Sequence, residues 1–143
     1  HADGEIATAM ASEATDSVMI ASTLSTYSME DIAKRAGLNK WFQLYMQPDF
    51  KDTVNLIKRA EDSGYKAIVI TVDASIQVPS RRAIEAGFNM PKHIVAANLS
   101  KQQQQYSDRK SSLFKMYAQN SITTEVLKRI IMMTSLPVIV NSC

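Results

Sequence analysis

Lys66-Ala-Ile-Val-Ile-Thr-Val-Asp73 decides the fold. The stretch is nearly continuous in Ile and Val and shows no alternation of polar with apolar side chains. A strand needs that composition when both its faces are covered, as in a parallel sheet. Just upstream, Asp49 stands where a helix cap belongs, and Phe50, Val54, Ile57 and Ala60 recur on one face of the helix that would follow. Gly64 closes that helix and releases the chain into the strand. One helix followed by one buried strand is half of a βαβ unit.

The same alternation extends in both directions. Towards the N-terminus, Lys40-Trp-Phe-Gln-Leu-Tyr-Met46 reads as a strand, and Ser28-Met-Glu-Asp31 as a capping box opening a helix to about Arg35, with Gly37 as its stop. In that box the Ser28 hydroxyl accepts a backbone N–H and the Asp31 carboxylate reaches back. Ser17-Val-Met-Ile-Ala-Ser22 is a further short strand, preceded by a helix from Asp3 to Ala14 that places Ile6, Ala9, Met10 and Ala14 at helical spacing. Towards the C-terminus, Thr123 caps a helix through Met133, and Pro137-Val-Ile-Val-Asn141 is one more strand of buried type. Strands alternating with helices imply right-handed crossovers and a parallel sheet, so the fold class is α/β. Between Asp73 and Thr123 the rhythm breaks. That stretch holds Gln102-Gln-Gln-Gln105 and Ser107-Asp-Arg-Lys-Ser-Ser112, and a poorly ordered loop is expected from about Lys92 to Ser112.

Composition bounds the function. The 143 residues are expected to form one domain, with 45% hydrophobic and 21% charged residues, which excludes wholesale disorder. Sixteen basic against fourteen acidic side chains leave a net charge of +2, without the basic stripe of a nucleic-acid binder. No apolar run has membrane-spanning length, and acidic Asp3 and Glu5 stand where a signal peptide would be basic. The single cysteine, Cys143, forms no internal disulfide, so an intracellular location is expected, cytoplasmic or peroxisomal. His1 and His93 have no Cys, Asp or His at ligand spacing, and no metal site is proposed. The methionines, Met19, Met132 and Met133 among them, read as adaptable core filler.

In parallel α/β folds, ligand sites gather at the carboxyl ends of strands. The four strands end in Ser22-Thr23, Gln43-Leu-Tyr45, Thr71-Val-Asp73 and Asn141-Ser142. Hydroxyls, a primary amide, a phenol and a carboxylate on one rim suit the edge of a flat heteroaromatic ring. Any one of them alone would simply solvate a strand end.

His1-Ala-Asp-Gly-Glu-Ile-Ala-Thr-Ala, Trp41-Phe-Gln-Leu-Tyr45, Ala67-Ile-Val-Ile-Thr-Val-Asp73, Phe88-Asn-Met-Pro91 and Thr134-Ser-Leu-Pro-Val-Ile-Val140 resemble the FMN-dependent α-hydroxy-acid oxidases and dehydrogenases, the group of glycolate oxidase and lactate oxidase. The resemblance implies a (β/α)8 TIM barrel, which typically needs about 250 residues, so this chain would hold a partial barrel of about four parallel strands with flanking helices. It implies FMN as cofactor, with Ser22, Gln43 and Thr71 at the isoalloxazine edge and Asn141 beside them. A small 2-hydroxy acid would be oxidised to a 2-oxo acid. Tyr45 would place its phenol at the substrate, and Asp73 would stabilise the imidazolium of a catalytic histidine. The family's histidine is not in this chain, which is therefore expected to be inactive alone. Two positions depart from the pattern. Asn141 replaces a flavin-contacting lysine, and Ser80 falls where a substrate-binding arginine is expected; Arg81, one residue on, is the candidate for a carboxylate, while the favoured reading of Arg81 and Arg82 is a solvated surface pair. The alternative is a degenerate, non-catalytic half-barrel acting as a binding or assembly module. An open sheet favours self-association or pairing with a complementary half-barrel.

Overall fold

The computed structural model describes residues 3–72, 81–87, 91, 94–99 and 122–142. Asp73, Ser80, Phe88-Asn-Met90, the glutamine run, both histidines and Cys143 lie outside the described residues. Of the loop expected over 92–112, only Ile94–Leu99 is described, and that segment packs into the fold through Asn98.

The elements in chain order are α1 (Gly4–Ala14), β1 (Met19–Ser22), α2 (Met29–Ala33), β2 (Lys40–Leu44), α3 (Phe50–Asp62), β3 (Ile68–Thr71), α4 (Arg81–Glu85), α5 (Thr124–Met133) and β4 (Val138–Asn141). Three helices begin where the sequence places a cap. The Asp31 N–H donates to Ser28 Oγ at 3.1 Å, the Lys51 N–H to Asp49 Oδ1 at 2.9 Å, and the Val126 N–H to Thr123 Oγ1 at 3.2 Å. The capping box differs in one detail. The Asp31 carboxylate accepts the Ser28 hydroxyl proton at 2.8 Å, so its return contact is to the cap's side chain. Gly64, with φ +77°, ends α3 in the left-handed region. Gly4 is held by space as well as by φ +49°, since a Cβ there would meet the Tyr27 ring at 2.9 Å.

The four strands form one parallel sheet in the order β1-β2-β3-β4. Because side chains alternate along a strand, the sheet has two unlike faces. Met19, Ala21, Phe42, Leu44, Ile68 and Ile70 point to one face and are buried in a core shared with Met29, Ile32, Leu56, Ile57 and Ala60 of α2 and α3. Tyr65 stacks edge-on against Phe42 with ring centroids 5.8 Å apart, and its hydroxyl donates to the Met29 carbonyl at 2.9 Å. Burial pushes that phenol's pKa up, with the Glu30 charge adding to the effect.

The opposite face carries Ile20, Ser22, Trp41, Gln43, Val69, Thr71, Ile139 and Asn141. On that face Val69 and Thr71 are buried, Ser22, Trp41 and Gln43 are half-buried, and Ile20 is 50% exposed.

Several sequence expectations are corrected. β4 has the composition of a buried strand but is half-buried at Val138 and exposed from Ile139 to Asn141, because it is the sheet's edge. Met132 and Met133 are not core filler. Met132 is 77% exposed on the outer side of α5, whereas Met19 and Met29 are buried as expected of fillers. On α1, Ile6 and Ala9 pack inward as expected and Ser12 joins them, whereas Met10 and Ala14 turn outward. The buried side of α3 is Thr53, Leu56, Ile57 and Ala60, with Phe50 at its margin under the Arg129 guanidinium, 4.3 Å from the ring centroid. A short helix, α4, lies within the stretch between Asp73 and Thr123 where the strand–helix rhythm breaks.

Candidate functional site at the strand ends

The parallel register brings three strand ends into a row. Ser22 lies opposite Gln43 across the β1–β2 pair, and Thr71 lies opposite Asn141 across β3–β4. Gln43 sits between them and spans the gap. Its Nε2 donates to Thr71 Oγ1 at 3.0 Å, while its Oε1 accepts the Ser22 hydroxyl at 3.3 Å and the Thr23 N–H at 3.4 Å. The amide is thereby fixed, oxygen towards β1 and nitrogen towards β3. Among the described residues, neither the carboxamide's second N–H nor the Thr71 hydroxyl proton meets an acceptor. Thr71 is buried, and Ser22 and Gln43 are half-buried.

The row rests on the turn that follows β1. The Thr23 hydroxyl donates to the Gln43 carbonyl at 2.7 Å and accepts the Tyr45 N–H at 3.0 Å. Ser22 Oγ also accepts the Leu24 N–H at 3.1 Å. Tyr45 follows Gln43 by two residues, just past the end of β2, and its carbonyl accepts Gln47 Nε2 at 2.8 Å. On the far side of the turn, Glu5 of α1 receives the Thr26 hydroxyl at 2.6 Å and the Thr26 N–H at 3.1 Å. Partial burial acts to raise the Glu5 pKa, but the hydrogen bonds its carboxylate accepts, those from Thr26 foremost, together outweigh it and leave the carboxyl below its ordinary value.

Ser22, Gln43 and Thr71 are therefore hydrogen-bonded in one line, with Tyr45 two residues beyond Gln43 and Asn141 exposed in register beside Thr71. Arg81 is not brought to them. Its side chain is 91% exposed on α4 and pairs with Glu85 at 2.8 Å. Asp73 lies outside the described residues. Among the described residues no cluster of His, Cys, Asp and Glu has the makings of a metal site, and no helix is long and apolar enough to cross a membrane.

Sequence reading missed two residues that hold the site's surroundings. Asn98, inside the presumed loop, is buried and bonded to four different residues through its side chain. Arg59 donates to both oxygens of Glu30 at 2.7 and 3.0 Å and to the Asn98 carbonyl at 2.9 Å. The Arg59 contact is the main reason that the Glu30 pKa lies below its ordinary value. Neither role had a local signal, since both depend on partners distant in sequence.

A parallel sheet with helices packed on one face and a linked polar row at the strand ends is the arrangement of an α/β segment, the class of fold in which ligand sites gather at the carboxyl ends of the strands. Comparison with known proteins makes that class specific. The FMN-dependent dehydrogenase family matches residues 1–142, and the chain belongs to that family. It is 54% identical over 101 residues to an L-lactate oxidase of Alicycliphilus denitrificans, covering 71% of this chain and 28% of the relative. It is 38% identical to an L-lactate oxidase of Roseobacter sp. over all of this chain and 40% of the relative. Glycolate oxidase 3 of Oryza sativa subsp. indica is 33% identical over 99% of this chain and 40% of its own length. Among solved structures, a mandelate oxidase variant with (S)-mandelic acid superposes with a TM-score of 0.81 at 32% identity, covering 98% of this chain and 36% of that one. Another, carrying a C4a-OH-FMN adduct, superposes with a TM-score of 0.80. The four-stranded sheet is thus part of a (β/α)8 barrel, and the chain spans about two fifths of the length of the relatives it matches end to end.

Proposed function

We propose that this chain supplies the ring-holding strand ends of an FMN-dependent 2-hydroxy-acid oxidase. The carrying observation is the Ser22–Gln43–Thr71 row, whose amide is fixed before any ligand arrives. Its chemistry fits the group. A pyrimidine-type ring edge alternates carbonyl acceptors with an N–H donor, and the row offers amide and hydroxyl groups along a line. FMN, when bound, supplies the two-electron redox chemistry. The residues of this chain bind and orient.

In this reading Gln43 and Thr71 donate to ring carbonyls, Ser22 completes the row from β1, and the Asn141 amide reaches the ring from β4. Asn141 provides hydrogen-bonding capacity without charge. Tyr45 holds the carboxylate or hydroxyl of a small 2-hydroxy acid, and Arg81 would serve that carboxylate only by releasing Glu85. In the whole reaction the α-carbon gives up a hydride equivalent, and the hydroxyl proton goes to a base that this chain lacks. Asp73 would stabilise that base in its protonated form. The 143-residue chain is therefore assigned cofactor and substrate positioning, without turnover of its own. The open edges β1 and β4, with Ile139 and Val140 exposed, support pairing with a second copy or a complementary half-barrel. A stable monomer by sedimentation at micromolar concentration would contradict that part of the proposal.

Flavin fluorescence titration tests the ring site. FMN is expected to bind the chain, and Gln43→Leu to weaken it by about tenfold, the worth of a lost hydrogen bond or two. Equal affinity for both proteins would contradict the proposal.

A further inference from the structure

Asn98 is 4% exposed and belongs to none of the strands or helices, yet its side chain joins the start of α2 to the end of β1 and the turn that follows. Its Oδ1 accepts the Met29 N–H at 2.7 Å, at the first residue of α2. Its Nδ2 faces three acceptors on the turn after β1: the Ser22 carbonyl at 3.2 Å, the Thr23 carbonyl at 3.3 Å and Ser25 Oγ at 3.0 Å. The Asn98 carbonyl in turn accepts Arg59 Nη1 from α3. Nearby, the Ala97 N–H donates to the Ser25 carbonyl at 2.9 Å, which fixes the segment against the same turn. The Met29 N–H fixes the carboxamide's orientation, because only its oxygen can accept that donor.

The residues so clamped are the ones that hold Gln43. Ser22 and Thr23 provide the hydroxyl and the N–H that Gln43 Oε1 accepts, and Thr23 Oγ1 also takes the Tyr45 N–H. We infer that Asn98 is a positioning residue for the strand-end row: by gripping the Ser22 and Thr23 carbonyls it sets the turn that aims the Gln43 amide and the start of the Tyr45 segment. A general brace would touch the row at no particular point, whereas Asn98 bonds both residues that meet Gln43 Oε1. Its functional consequence rests on the ring-holding role proposed for the row.

Asn98→Asp separates the two halves of the contact. It keeps an oxygen for the Met29 N–H and removes the donor that Ser22, Thr23 and Ser25 accept. In amide correlation spectra of the full chain, the Gln43 side-chain signals are expected to shift and broaden in Asn98→Asp, and FMN affinity to fall about tenfold. The control Ile130→Val, a core change on α5, is expected to leave the Gln43 signals in place. Unmoved Gln43 signals in a folded Asn98→Asp would overturn the inference. Should that variant fail to fold, Ser25→Ala, which deletes one of the three acceptors, must move the same signals to a smaller extent, and no movement there overturns it equally. The spectra decide the role of Asn98 without FMN. Failure of the parent chain to bind FMN would instead count against the ring-holding reading alone.

Discussion

The two faces of one sheet are built on opposite plans. On the helix side, Phe42, Leu44, Ile68 and Ile70 are fully buried and make no side-chain hydrogen bond, so that face is held by area and fit. On the other side the same strands, offset by one residue, present Ser22, Gln43 and Thr71 in a hydrogen-bonded row beside exposed Ile20 and Ile139. The alternation of a strand produces both from one backbone. One face is packed for stability, and the other carries the polar row proposed to meet the flavin.

That contrast predicts unequal responses to mutation. The largest effect is expected at Phe42, which fills the core against Tyr65. Phe42→Ala is expected to cost about 3–5 kcal/mol, a large share of the roughly 5–15 kcal/mol that hold a domain folded, read as a lower urea midpoint. A cost below about 1 kcal/mol would break the contrast, since the helix-side face would then be no more tightly packed than the open one.

A smaller effect concerns acid. Glu30, held down chiefly by its hydrogen bonds from Arg59, and Glu61, held down chiefly by the Thr134 hydroxyl with the Ser135 N–H, have folded-state pKa values below their ordinary ones. A depressed carboxylate pKa adds stability that is complete above its unfolded value and is lost as pH falls through the folded one. The melting temperature is therefore expected to decline below the ordinary carboxylate range, and Arg59→Met to flatten the Glu30 part of that decline. An unchanged slope would show that the bridge between α2 and α3 contributes nothing that titrates.

The smallest effect is expected at Arg81, whose pair with Glu85 is open to water. Arg81→Ala is expected to leave stability within about 0.5 kcal/mol, because exposed ion pairs contribute little. A larger loss by the same urea measurement would place Arg81 in the packed structure.

Much of this was legible before any coordinates, for a physical reason. Strands such as Ile68–Thr71 and caps such as Asp49 and Thr123 are written in residues next to one another. The candidate row was legible as strand-end polarity, although only the register shows that Gln43 reaches both neighbours. What stayed hidden depends on distance along the chain. Asn98 meets Met29 from 69 residues away, and Arg59 meets Glu30 from 29. The exposure of Val140 and Met132 was equally unreadable, since an apolar side chain has the same identity at a sheet edge as in a core.

The most direct test of the account is a titration of the chain with FMN followed by amide correlation spectra. The side-chain signals of Gln43 and the backbone signals of Ser22, Thr71 and Asn141 are expected to move together on saturation, while those of Leu56 and Ile57 on α3 stay in place. If FMN moves the α3 signals and leaves Gln43 and Thr71 where they were, the strand-end row is not where the flavin is held.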